Sequence, residues 1–168
     1  MKFLIAAAAL ALLPAAPAVQ AQDASASCAA MNAALPSVWA AWSQTQPLGA
    51  STTASNASAI SPGHAYAVTL NPAAQVALND GKHIKPDTFA GYLGLDVTQA
   101  GTYTIALDQA AWVDVIGRMG MARSSGHQHG VACSSIRKTV DFQLEPGHYT
   151  LRIANAGREA LTLEAQPK

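Results

Sequence analysis

The chain has 168 residues, with ten Lys/Arg balanced by ten Asp/Glu and only 12% of residues charged. That length suits one ordinary domain with a real core. Its scattered cations, of which only Arg137 and Lys138 adjoin, exclude the clustered positive charge that nucleic acid or an anionic membrane surface demands.

Lys2 is followed by an almost wholly apolar stretch, Phe3 to Val19, and then by Val19-Gln20-Ala21. A positive start, an apolar run and small residues at the −3 and −1 positions predict a signal peptide over 1–21. The mature protein is then expected in the periplasm or outside the cell, with nine Lys/Arg against ten Asp/Glu once Lys2 is removed. No later apolar run reaches the ~20 residues that a membrane-spanning helix needs, so no transmembrane segment is expected in the mature chain. The two cysteines, Cys28 and Cys133, are expected to form a disulfide in an oxidising compartment. It would close a loop of about 100 residues and stabilise the fold by roughly 4–5 kcal/mol. A thiolate ligand or nucleophile is the other reading, but neither cysteine has a CxxC partner or a basic neighbour within two residues.

Residues 29–46 suggest a short helix or two, with Pro36 in a first turn and Val38, Trp39 and Trp42 on nearby faces. Residues 49–59 are rich in Ala, Ser and Thr and suggest an exposed connector. Residues 22–60 are therefore expected to be a helical N-terminal segment and linker, and 61–168 a β-sandwich domain. From Ser61 onward the period changes to two. Tyr66/Val68/Leu70, Leu93/Leu95/Val97, Tyr103/Ile105/Leu107, Val113/Val115, Val140/Phe142/Leu144, Tyr149/Leu151/Ile153 and Leu161/Leu163 each share a face. Short alternating strands separated by turn residues predict an all-β, antiparallel sandwich or barrel. Two stretches repeat. Residues 99–107 and 145–153 each run through a turn and a Gly to Tyr-Thr-aliphatic-x-aliphatic, and Ser61 to Tyr66 is a looser third copy. Each of the first two is expected to be a β-hairpin.

His127 and His129 are the leading candidates for chemistry. Alternate residues of an extended segment point the same way, so this pair can present two imidazoles to one metal ion. The loop before them holds Met119 and Met121, and thioethers beside imidazoles suit copper, whereas imidazoles alone suit zinc, nickel or iron. His148, His64, His83 or Asp141 would have to supply a third ligand. Two solvated histidines in a polar loop are the competing reading. Trp112 and Asp114 alternate out of phase with Val113 and Val115. An aromatic exposed beside a polar group is a surface for a sugar ring or a peptide edge, unless the N-terminal helix with Trp39 and Trp42 covers that strand. Catalysis finds no motif. Asp108 and Asp114 are an isolated acid pair, and Ser134 and Ser135 lack a Gly-x-Ser-x-Gly elbow, so no catalytic residue is assigned.

The repeated turn units with Ala111-Trp112-Val113-Asp114-Val115 between them resemble the jelly-roll sandwiches of pre-peptidase C-terminal domains and some carbohydrate-binding modules. The segment His127-Gln128-His129-Gly130-Val131-Ala132-Cys133-Ser134-Ser135-Ile136-Arg137-Lys138 is similar to one in small exported alphaproteobacterial proteins, some of which bear the name homogentisate 1,2-dioxygenase. The first resemblance implies a jelly-roll-like β-sandwich with a short N-terminal helix. The second implies non-haem iron on two histidines and a carboxylate, although the first acid after His129 is Asp141. Together these features point to an exported, non-catalytic binding or envelope-associated module, with a divalent metal (iron, copper or zinc) at His127, His129 and His148 as an added expectation. Its partner would be a small molecule, a glycan or an envelope protein. A ring-cleaving dioxygenase and a carbohydrate- or peptide-binding module are the alternatives.

Overall fold

The structure is a computed structural model that describes residues 30–78 and 84–168. The expected signal peptide, Cys28 and His83 lie outside the described residues. Among the described residues the strands are β1 (Gln46–Gly49), β2 (Ser58–Ile60), β3 (Ala65–Thr69), β4 (Asn71–Pro72), β5 (Phe89–Val97), β6 (Gly101–Leu107), β7 (Trp112–Gly117), β8 (Gly120–Met121), β9 (Ser124–His129), β10 (Lys138–Leu144), β11 (Gly147–Ala156) and β12 (Ala160–Pro167). They form two sheets. Sheet A has the order β1-β3-β12-β6-β10-β9, and sheet B the order β2-β5-β11-β7-β8, with β4 also paired to β5. The protein is an all-β, jelly-roll-like sandwich.

The period-two faces build its core. Val68, Ile105, Leu107, Phe142, Leu144 and Leu163 of sheet A are buried in one cluster with Leu93, Leu95, Val115, Leu151 and Ile153 of sheet B. Each such side chain stabilises the fold by about 1.5–3 kcal/mol relative to an exposed position.

Four expectations need correction. The sandwich begins before residue 61, because β1 runs parallel to β3 and β2 parallel to β5. Each is a short edge strand held through backbone pairing, too brief to show a hydrophobic period. The pairing is therefore not purely antiparallel. The expected short N-terminal helix is present as a 3-10 helix, Ser37–Ser43, but it does not cover the expected strand. Its buried Trp39 and Trp42 cluster with Ala106 and Ile136, so they cover β6 rather than the strand of Trp112. Ala106 leaves room there that a larger outward residue would fill. The outer face of sheet B is covered elsewhere, where Ala73 and Val76 pack on Ala90, Tyr92 and Ala154.

The fourth correction concerns the repeats. The turns between β5 and β6 and between β10 and β11 join strands of different sheets, so they are corners of the sandwich and not hairpins. The repeated tyrosine explains the likeness. Tyr103 donates its hydroxyl to the Gln99 carbonyl at 3.1 Å, and Tyr149 donates to the Glu145 carbonyl at 2.9 Å. In the looser copy the Tyr66 hydroxyl accepts from the Ser61 N–H at 3.0 Å. A tyrosine whose hydroxyl returns to the backbone a few residues upstream is a known way to hold a sandwich corner.

Candidate functional site

The loop between β9 and β10 is anchored by the N-terminal segment. Asn32 donates from its backbone N–H to the Cys133 carbonyl at 2.9 Å. Its side-chain oxygen accepts from the Ser135 N–H at 2.7 Å, and its amide donates to the Ser135 hydroxyl at 3.0 Å. The Trp42 indole donates to the same hydroxyl at 2.8 Å. Ser134 donates to the Val131 carbonyl at 2.7 Å. Both serines therefore hold the loop's shape, which accounts for them without a hydrolase. Gly130 is required at the loop's entry, since a Cβ there would overlap the Ile136 carbonyl. The described part of the chain contains no free cysteine.

His127 and His129 lie on β9, at the edge of sheet A, and both are exposed. The register pairs His127 with Val140 and His129 with Lys138, whereas Asp141 pairs with Gly126. Cross-strand partners share a face, so the two histidines share one phase, as the sequence suggests, and Asp141 has the other. His148 lies on β11 in the opposite sheet, where its Nδ1 meets Asp96 at 2.7 Å. Met119, in the turn between β7 and β8, and Met121, on β8 of sheet B, line a hollow with His148, not with His127 or His129. Among the described residues no group of three His, Cys, Asp or Glu could hold a metal ion. The expected triad of His127, His129 and His148 is thus divided between two sheets. The two-histidine, one-carboxylate centre of an iron dioxygenase does not fit these residues, because such a site needs its ligands to converge.

Asp141 and His129 do border one feature, a hollow of about 280 Å³ on the outer face of sheet A that Trp39, Thr104, Gln166 and Lys168 also line. Asp141 accepts from the Thr104 hydroxyl at 2.6 Å and from the Lys168 ammonium at 2.9 Å. Burial pushes its carboxyl up, but the Thr104 and Lys168 bonds and the Lys168 charge outweigh that and hold it below its ordinary value. Its oxygens are already engaged, which makes it a poor catalytic base. On the same sheet, Glu164 is fully buried. Its Oε1 accepts from Gln166 at 2.5 Å, while Oε2 has no hydrogen-bond partner among the described residues. Burial raises the Glu164 carboxyl above its ordinary value, against the opposing effects of the Gln166 bond and the nearby His64.

Trp112 and Asp114 separate. Asp114 is buried on sheet B, where its Oδ2 accepts from Arg152 Nε at 3.1 Å and from Nη2 at 2.5 Å. The expectation that it binds ligand is corrected by that ion pair, which satisfies its charge inside the protein. Trp112 is 57% exposed. The Lys138 ammonium lies 5.9 Å from its ring centroid and donates to the Ala111 carbonyl at 2.7 Å. Burial lowers the Lys138 ammonium below its ordinary value, with Asp114 partly opposing the shift. A hollow of about 240 Å³ opens beside the indole, lined by Lys85, Ala110, Ala111, Trp112, Lys138 and Asn155. Sequence reasoning found Trp112 by its phase but missed Lys85 and Lys138. Lys138 belongs to sheet A and Trp112 to sheet B, and only the packing of the two sheets brings them together.

No protein-family model matches the sequence, and no curated protein matches it either. Among solved structures the chain is similar to a pre-peptidase C-terminal domain of a collagenase from Bacillus anthracis. The two share 13% identity at a TM-score of 0.42, over 66% of this chain and 95% of that one. It is also similar to part of a β-glucosidase from Paenibacillus barengoltzii, at 13% identity and a TM-score of 0.28, over 80% of this chain and 12% of the enzyme. Likenesses this loose say nothing about what the chain binds or does.

Proposed function

We propose that the protein is an exported, non-catalytic binding module of the cell envelope that holds a glycan against Trp112. One observation carries this reading: a tryptophan 57% exposed on a sheet face, beside a hollow edged by polar side chains. A partly exposed indole beside hydrogen-bonding groups suits a sugar ring, which presents C–H groups to the aromatic and hydroxyls to its surroundings. Export rests on the pattern of residues 1–21. A Cys28–Cys133 disulfide is part of the proposal, supported by the bond from Asn32 to the Cys133 carbonyl, which brings the chain shortly after Cys28 to this loop. Trp39 and Trp42 are buried, so fluorescence changes on titration with oligosaccharides will report mainly on Trp112. The expected result is a saturable change that Trp112→Ala abolishes. Binding that survives Trp112→Ala would refute the reading.

A metal on His127 and His129 is a second reading, favoured by their exposure and shared phase. With solvent completing the shell it would be a weak surface site. Elemental analysis of protein purified without chelator, beside the His127→Ala/His129→Ala variant, tests it. Equal metal content in the two would reject it.

A further inference from the structure

We infer that the Trp112 hollow selects a sugar ring bearing a carboxylate, a uronic acid, over a neutral sugar. This rests on the glycan reading and adds the ligand's charge. Two lysines from separate parts of the chain border one small hollow, Lys138 from β10 and Lys85 from the segment before β5. Lys138 is held in place. Its Nζ donates one hydrogen to the Ala111 carbonyl at 2.7 Å and lies 5.9 Å from the indole centroid, which leaves two ammonium hydrogens for a ligand.

Lys85 is positioned by an irregularity in the sheet. The β11 register shifts between Ile153 and Ala156, directly after the pair Ala154–Trp112. Within that bulge Asn155 adopts a left-handed backbone, φ 55°, a conformation asparagine tolerates better than most residues. Bulges re-aim side chains and are over-represented next to functional sites. Here the Asn155 side-chain oxygen accepts from the Lys85 N–H at 2.8 Å, and so fixes the backbone that carries the second ammonium. Among the described residues no carboxylate lines the hollow. Asp114 is the acid that acts on Lys138, and it is already paired with Arg152. The hollow therefore combines an aromatic face with two ammonium groups. A neutral sugar would use the face alone, and a uronate would use both.

The test is titration calorimetry with oligogalacturonate, oligomannuronate and oligoglucuronate, each beside its methyl ester, which keeps the ring and removes the charge. At least one acid should bind on the order of ten-fold more tightly than its ester, the margin expected of a charge-assisted hydrogen bond. That preference should fall with added salt and shrink in Lys138→Gln and in Lys85→Gln. Lys85 is exposed, so its variant keeps the test valid if Lys138→Gln folds poorly. Equal binding of acid and ester, lost in Trp112→Ala, would overturn the charge selection and leave the glycan reading standing. Binding of neither by folded protein would overturn both.

Discussion

The Asp114–Arg152 pair makes the sharpest prediction about what holds sheet B. Its two side chains are 10% and 5% exposed, and the guanidinium bonds from Nε and Nη2 to Asp114 converge on one carboxylate oxygen. Removing either partner breaks a buried, desolvated charge contact, which costs about 3–5 kcal/mol. Total stability for a domain of this size is about 5–15 kcal/mol, so Asp114→Ala and Arg152→Met should each lose a large share of it. Replacing both together, Asp114→Leu with Arg152→Met, removes the desolvated charges along with their attraction and should cost far less than the two single losses combined. Urea unfolding followed by tryptophan fluorescence measures all three, with an unchanged denaturant slope as the check that unfolding remains two-state. Single losses below about 1 kcal/mol, or a double variant whose loss is additive, would show that the pair is not the coupled, desolvated contact described.

Three further outcomes follow from other parts of the sandwich. Tyr103→Phe and Tyr149→Phe should each cost about 1 kcal/mol through a lost corner bond, additively because the corners share no partner, as urea midpoints will show. Gly130→Ala should cost about 1–3 kcal/mol through overlap with the Ile136 carbonyl, and a melting temperature unchanged from the parent would contradict that contact. Glu164 titrates above its ordinary value when folded, so the folded state binds more protons than the unfolded state between the two values. Stability should then fall as pH rises from the ordinary glutamate range through the raised one. Glu164→Gln should remove that fall, and identical stability–pH profiles for parent and variant would refute it.

Much of the fold is legible because burial in a sandwich follows the strand period. Residues such as Ile105, Phe142 and Leu151 sit where alternation places them. The edges are illegible for the same reason. β1 buries no side chain and β2 only Ile60, so they hold on through backbone groups, which leave no trace in composition. The tyrosine repeat is visible as a pattern, but its meaning lies in a hydroxyl returning to a backbone carbonyl, and a hairpin and a corner share that local chemistry. Which of the two forms depends on whether the next strand pairs in the same sheet.

Candidate residues behave differently because a site depends on what meets across the fold. His-x-His shows that two imidazoles share a face, and they do. Whether a third ligand joins them depends on which sheet His148 enters, and it enters the other one. Asp114 looks like a surface acid from its phase, yet Arg152 from the neighbouring strand claims it. Trp112 is the contrasting case. The protein covers sheet A over Ala106 with Trp39 and Trp42, and sheet B over Tyr92 and Ala154 with Ala73 and Val76. Both outer faces thus have apolar cover available, yet the indole of Trp112 stays more than half exposed. Burying it would have been favourable at roughly 25 cal/mol per Å². A tryptophan more than half exposed in a fold that buries Trp39 and Trp42, beside two lysines from distant segments, is therefore the position at which the glycan proposal is tested.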